Sequence, residues 1–346
     1  MEIVEGVLQD VQNRDLLVLR KSPKAFWRGV SKIGAGAFKE VDELWEIDIP
    51  EGIETVEENA FWGCGNLKEV TLPESVKTVG KFAFSNCDQL NKIIIPEKVK
   101  VIREGAFMGC KSLEDCVLSS TATVISAFAF KDCENLKFMS IPSTVRSIGE
   151  SAFENCKGLK CVKFNEGLSS IGQSAFAGCR SLKEVKLPNS LNFLQENAFR
   201  KCLSLEKVII GENVKEIKYS TFSCCLNLKD VEIGKNVVSI GKSAFLKCES
   251  LNFIALPLKL KTIGFGAFSG CKNLEAVQFG EVENIGKSAF ANTGLLYVSI
   301  PKTVRSLKAN TFNNCGNLKK IVINEEIKIN PKAFTDCERF EIDFVD

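Results

Sequence analysis

The sequence predicts a solenoid of the α/β repeat class, in which one short unit is stacked about fourteen times. Two observations predict it. The first is a phenylalanine that returns at fixed steps: Phe38, Phe61, Phe84, Phe107, Phe130, Phe153, Phe176, Phe199, Phe222, Phe245, Phe268, Phe290, Phe312 and Phe334. The step is 23 residues up to Phe268 and 22 beyond it. A fixed period of this length marks an array whose units cannot bury their apolar faces alone. The second observation is what lies between the phenylalanines. Each copy approximates A-F-x-x-C-x-x-L-x-x-V-x-L-P-x-x-V-x-x-I-G, with apolar residues at alternate positions and turn residues in the gaps.

A chain of this length would ordinarily divide into two or more domains. The repeat overrides that expectation, because each unit of an array touches only its neighbours and the whole is one continuous domain. Residues 1–29 precede the first clean unit, VSKIGAGAF at 30–38, and are expected to form an N-terminal cap. Within it Val4, Val7, Leu8 and Val11 fall at helical spacing, Leu16–Leu19 reads as a short strand, and Trp27 is expected to cover the open end of the core. The repeats fill 30–340. Residues 341–346 break the register and read as a C-terminal cap strand.

Within a unit, Leu67–Leu72 shows the period-2 pattern of a half-buried strand. Stacking one strand per unit makes a parallel sheet with strands about 4.8 Å apart. Proline follows the strand in many copies, as at Pro73 and Pro142, and ends ladder pairing because it has no N–H. The glycine of V-x-x-I-G, at positions 34, 80, 149, 172, 241, 264 and 286, is expected to supply a positive φ. S-A-F-x-x-C reads as one short helical turn. The last three units are each one residue short, with the deletions expected after Phe279, between Phe290 and Leu295, and after Ile323.

Of 15 cysteines, twelve stand three residues after a repeat phenylalanine, from Cys64 to Cys337. Val41 and Thr293 take the same slot, so it accepts a small, mostly apolar side chain. Free, buried thiols suit it. A column of unpaired thiols fits a reducing compartment.

Catalytic and cofactor chemistry is excluded more than suggested. With no histidine in the chain, Ser-His-Asp, Cys-His and zinc-histidine arrangements are unavailable. There is no C-x-x-C. Gly241-Lys242-Ser243 and Gly286-Lys287-Ser288 lack the earlier glycine of a phosphate loop and belong to the ordinary repeat turn. No cofactor is expected. A net charge of +2 gives no argument for nucleic acid. No apolar run approaches a membrane span. The N-terminus lacks the pattern of a signal peptide, so a cytoplasmic location is expected.

The unit A-F-x-x-C-x-x-L-x-x-V-x-L-P-x-x-V-x-x-I-G resembles the BspA-like leucine-rich repeat, over about residues 30–340. L-x-x-V-x-L matches the strand core of leucine-rich repeats, with the usual following Asn replaced by P-x-x-V. The resemblance implies a right-handed, curved array with its parallel sheet on the concave face, and binding in place of catalysis. It also implies the alternative of a cell-surface adhesin that binds host proteins.

Solenoids bind through their extended faces. Departures from charge on the outward strand positions therefore select the candidate ligand-binding residues Trp45, Phe138, Phe253 and Tyr297, with Cys161 in the same set. Ile94, Val117, Ile209 and Val322 lie one slot along. The expected partner is a protein ligand.

Overall fold

The computed structural model describes residues 1–21 and 23–345, without the side chains of Leu17, Arg20 and Lys21. Its contacts divide into two units, Met1–Leu168 and Ser169–Asp346. Each unit is a stack of repeats in which the chain makes two strands and a turn segment per turn of the coil.

The first strand of each copy has three residues in most units, as at Glu69–Thr71 and Lys92–Ile94. Its middle residue points inward and its flanking residues outward, as the period of 2 requires. These strands pair in parallel at equivalent positions, for example Glu46↔Glu69 and Phe138↔Cys161 in one unit and Phe253↔Ala276 in the other. They make the front sheet. The V-x-x-I segment forms a second strand of two residues, such as Thr78–Val79, in a separate parallel back sheet.

The A-F-x-x-C segment is not helical. Residues 80–87 make overlapping i→i+3 turns, with Ala83 N–H on Gly80 O, Ser85 N–H on Phe82 O and Cys87 N–H on Phe84 O. Two residues in most copies are left-handed, here Phe82 (φ 52) and Asn86 (φ 59), and they break any continuous right-handed helix. The amides a helix would use internally go to the next copy instead. Phe82, Phe84 and Asn86 donate to the carbonyls of Glu104, Ala106 and Met108 at 2.9, 2.8 and 2.7 Å. All three sides of the coil are therefore hydrogen-bonded ladders.

The glycines before this segment serve a different purpose from the one expected. Gly34, Gly80, Gly149, Gly241, Gly264 and Gly286 are not among the residues at positive φ. A Cβ at Gly80 would lie 2.4 Å from the carbonyl carbon of Glu57, and one at Gly149 would lie 2.5 Å from Ala127 N. Close approach of successive backbones, not φ, favours glycine there.

The core is a set of side-chain columns. In Met1–Leu168 the rings from Phe38 to Phe153 stack with centroids 4.8 to 5.6 Å apart. In the second unit the rings from Phe176 to Phe334 stack at 5.3 to 5.6 Å. At the N-terminal end Phe26, not Trp27, lies over Phe38, and Trp27 stands edge-on against Phe26. At the other end Phe340 packs on Phe334.

The rest of the N-terminal cap reverses the expectation. Glu2–Val4 and Val7–Gln9 form an antiparallel hairpin, and Leu16–Lys21 is a helix. The turn residues Glu5 and Gly6 both have positive φ, the geometry of a two-residue hairpin. Val7 and Leu8 pair with Lys32 and Ile33, which extends the back sheet by one strand. Satisfying that sheet edge outweighs the helical spacing of four valines and leucines. The last deletion lies between Val322 and Lys328, because Lys328 pairs with Ser306 at a step of 22 while Val322 still pairs with Ser299 at a step of 23.

Candidate binding surface

The outward positions of the front sheet form columns that run along the stack. Over much of the surface these columns are occupied by charges paired with the neighbouring copy: Lys92 with Asp115 at 3.6 Å, Lys229 with Glu206 at 3.4 Å and Lys207 with Glu232 at 3.0 Å. Lys137 and Glu114 pair in the same way. A stack with a 23-residue step turns residue i+23 into a neighbour of i, so charge of alternating sign is satisfied within the array. Such exposed pairs contribute little stability each.

The candidate residues interrupt this pattern. Phe138, Phe253 and Tyr297 are each the first residue of a front strand and are 49, 48 and 59% exposed. Trp45, 55% exposed, stands one residue before the strand Glu46–Asp48 and so occupies a different position of the repeat from the other three. Trp45 and Phe138 belong to the first unit, four strands or about 19 Å apart by strand spacing, and are not brought together. Cys161 is exposed and pairs in register with Phe138. Ile94 and Val117 are exposed neighbours in the other outward column, whereas Ile209 and Val322 are half-buried.

In the second unit Phe253 and Tyr297 do share a site. They stand in one column with Ala276 between them, two strands or about 10 Å apart: Phe253 pairs with Ala276, and Leu296 N–H, just before Tyr297, donates to Glu275 O, just before Ala276. Ala255 is the other outward residue of the Phe253 strand. Three consecutive copies thus present no charge in this column. Asn252 and Lys229 border Phe253 on the same surface.

Other exposed aromatics lie off the front sheet. Phe193 is on a back strand and is 58% exposed. Tyr219 and Phe265 stand on the turn segment two copies apart, with Lys242 Nζ between them at 5.8 and 5.6 Å from the ring centroids. The signal for these was present: the third residue before the repeat phenylalanine is Glu or Lys in several copies, as at Glu58, Lys81 and Glu104, but aromatic at Tyr219 and Phe265.

The thiol column is internal. None of the 15 cysteines is in a disulfide, and the repeat-slot cysteines are buried apart from Cys337. Column thiols donate to the carbonyl of the preceding copy's phenylalanine, as Cys64 Sγ does to Phe38 O at 2.9 Å and Cys202 Sγ to Phe176 O at 3.3 Å. Burial pushes Cys64 and Cys271 up to about 12. These sulfurs are structural, not reactive. Thr293 fills the slot differently: its hydroxyl donates to Phe290 O of its own copy at 2.8 Å.

The family model described as BspA type Leucine rich repeat region (6 copies) matches residues 31–160, 123–252 and 215–343. The chain belongs to this family. No curated protein sequence matches it. Among solved structures, this BspA-type array is similar to a leucine-rich repeat protein from Bacteroides ovatus, with 26% identity and a TM-score of 0.63 over 92% of this chain and 88% of that one. A leucine rich cell surface protein from Faecalibacterium prausnitzii shares 27% identity over 72% of this chain and 83% of that one, with a TM-score of 0.42. The pneumococcal vaccine antigen PcpA shares 19% identity over 92% of this chain and 80% of that one, with a TM-score of 0.47. Among the described residues no helix is long and apolar enough to cross a membrane.

Proposed function

We propose that this array is a protein-binding module whose front sheet, the face that the family resemblance makes concave, holds a protein ligand on exposed aromatics. The observation that carries the reading is the uncharged column of Phe253, Ala276 and Tyr297 on a surface otherwise laced with ion pairs. Aromatic anchors with small residues around them are what binding hot spots are made of. Phe138, beside Cys161, is a second anchor in the first unit.

The test is the triple variant Phe138→Ser, Phe253→Ser and Tyr297→Ser as bait in a native extract. A protein recovered by the wild-type array should be lost, with affinity at least about thirtyfold weaker, if these residues are hot spots of about 2 kcal/mol or more. Equal recovery by both baits ends the reading, and recovery of nothing by the wild type favours a structural spacer.

The free thiols support a reducing compartment as the place of action. Protease treatment of intact cells should leave the protein whole. Its loss on such treatment would favour the adhesin alternative and direct the search to host proteins.

A further inference from the structure

We propose that a cleft at the N-terminal end of the front sheet binds a lysine- or arginine-bearing peptide segment of a protein partner. The proposal rests on the reading of the array as a protein-binding module, but concerns a surface separate from Phe253 and Tyr297. The cleft holds about 600 Å³. It is lined by Leu16, Leu19 and Pro23 of the cap, by Trp45, and by Glu46, Asp48 and Glu69 of the front strands.

Charge sets the sign of the occupant. Glu46 and Glu69 are in register on adjacent strands, both exposed, and Asp48 occupies the next outward position of the first of them. Like charges directly opposite one another across a strand pair are destabilising. Elsewhere on the same sheet the equivalent positions carry opposite charges, as in Lys92 and Asp115. Among the described residues none of Glu46, Asp48 and Glu69 forms an ion pair. Among the described side chains, therefore, three carboxylates at one place have no ion-pair partner, against the array's own habit.

The chemistry of the cation is shown by the protein itself. Lys68 Nζ lies 5.2 Å from the centroid of the Trp45 ring. The ring already accepts one ammonium, and over half of its surface is still exposed. Among the described residues no three carboxylates come close enough to hold a metal ion, which favours an organic cation. The apolar lining selects a peptide over a small free cation. An extended segment alternating cationic and apolar side chains would turn one row to Glu46 and Glu69 and the other to Leu19 and Pro23.

Fluorescence anisotropy with a labelled acetyl-Lys-Leu-Lys-Leu-Lys-Leu peptide tests this at about 0.15 M salt, where screening beyond about 8 Å is strong. The wild-type array should bind it saturably and ignore the Glu-Leu counterpart. Trp45→Leu, which keeps an apolar side chain but removes the ring, should weaken binding about tenfold. Glu46→Lys with Glu69→Lys should abolish it, whereas Phe253→Ser with Tyr297→Ser should leave it unchanged. Trp45, Glu46 and Glu69 are exposed, so matching thermal melts are expected. The proposal is overturned if the wild type does not bind, if the Trp45 and charge-reversed variants bind like wild type, or if spermine displaces the peptide as well as unlabelled peptide does. Intact peptide binding in a Phe253 and Tyr297 variant that has lost its native partner would separate this site from the one proposed above.

Discussion

At the scale of the residue, the repeat phenylalanine and the cysteine three positions later act together. The carbonyl of a repeat phenylalanine accepts its own turn's amide and, where the following copy has the cysteine, that thiol as well, as with Phe61 O, which takes Cys64 N–H at 3.2 Å and Cys87 Sγ at 3.2 Å. Cysteine is small enough for the column and still carries a weak donor. The ring has no such latitude. Phe222 is fully buried between Phe199 and Phe245 at 5.6 and 5.4 Å. Phe222→Ala should cost about 3–5 kcal/mol, since the ladder above and below prevents collapse into the void. Phe222→Leu should cost markedly less. Urea unfolding of the two variants would check the order, and equal midpoints would contradict the ladder account.

At the scale of the element, the turn segment is where local conformation limits stability. Its two left-handed positions hold glycine, asparagine or aspartate in many copies, but Lys201 sits at φ 60. A left-handed conformation costs an ordinary L-residue about 1–2 kcal/mol. Glycine avoids that but loses about 0.5–1 kcal/mol more conformational entropy on folding. Lys201→Gly should therefore stabilise the protein by about 0.5–1 kcal/mol. The equivalent Gly63 (φ 72) changed to Ala should destabilise it by a similar amount. Thermal denaturation of both variants would test the assignment, and a destabilising Lys201→Gly would show that the lysine side chain matters more than its backbone.

At the scale of the whole molecule, small effects repeat with the unit and add. The buried column thiols titrate far above the ordinary cysteine value of about 8.5, because burial penalises the thiolate. In the unfolded chain they titrate near that ordinary value. Above it the unfolded state binds fewer protons than the native state, so stability falls as pH rises. The contribution is fully present below about pH 8.5 and is lost progressively toward about 12, where Cys64 and Cys271 ionise in the folded state. Each such thiol contributes a slope of up to about 1.4 kcal/mol per pH unit. The urea midpoint should drop steeply between about pH 8 and 10. A flat profile, or a cysteine-to-alanine series that leaves the slope unchanged, would contradict it.

The period of the phenylalanines, the alternation within L-x-x-V-x-L and the cysteine slot are enough to determine a stacked array, because one-dimensional packing needs only that each copy present the same side chains to the next. They also determine which front-strand residues face outward, so the exposure of Phe138, Phe253 and Tyr297 is legible in the sequence. Three things depended on the tertiary structure. The A-F-x-x-C segment is a ladder of turns and not a helix, since its amides are satisfied by the next copy, which a local reading does not contain. The glycine at position 80 answers to the backbone of Glu57, far away in the chain and close only after stacking. The cleft at Trp45 arises because the cap helix brings Leu16 and Leu19 beside Glu46 and Glu69, a juxtaposition without any repeat to announce it. Periodicity speaks for contacts that recur. Contacts made once, at the end of the array, are decided by how the chain folds back on itself.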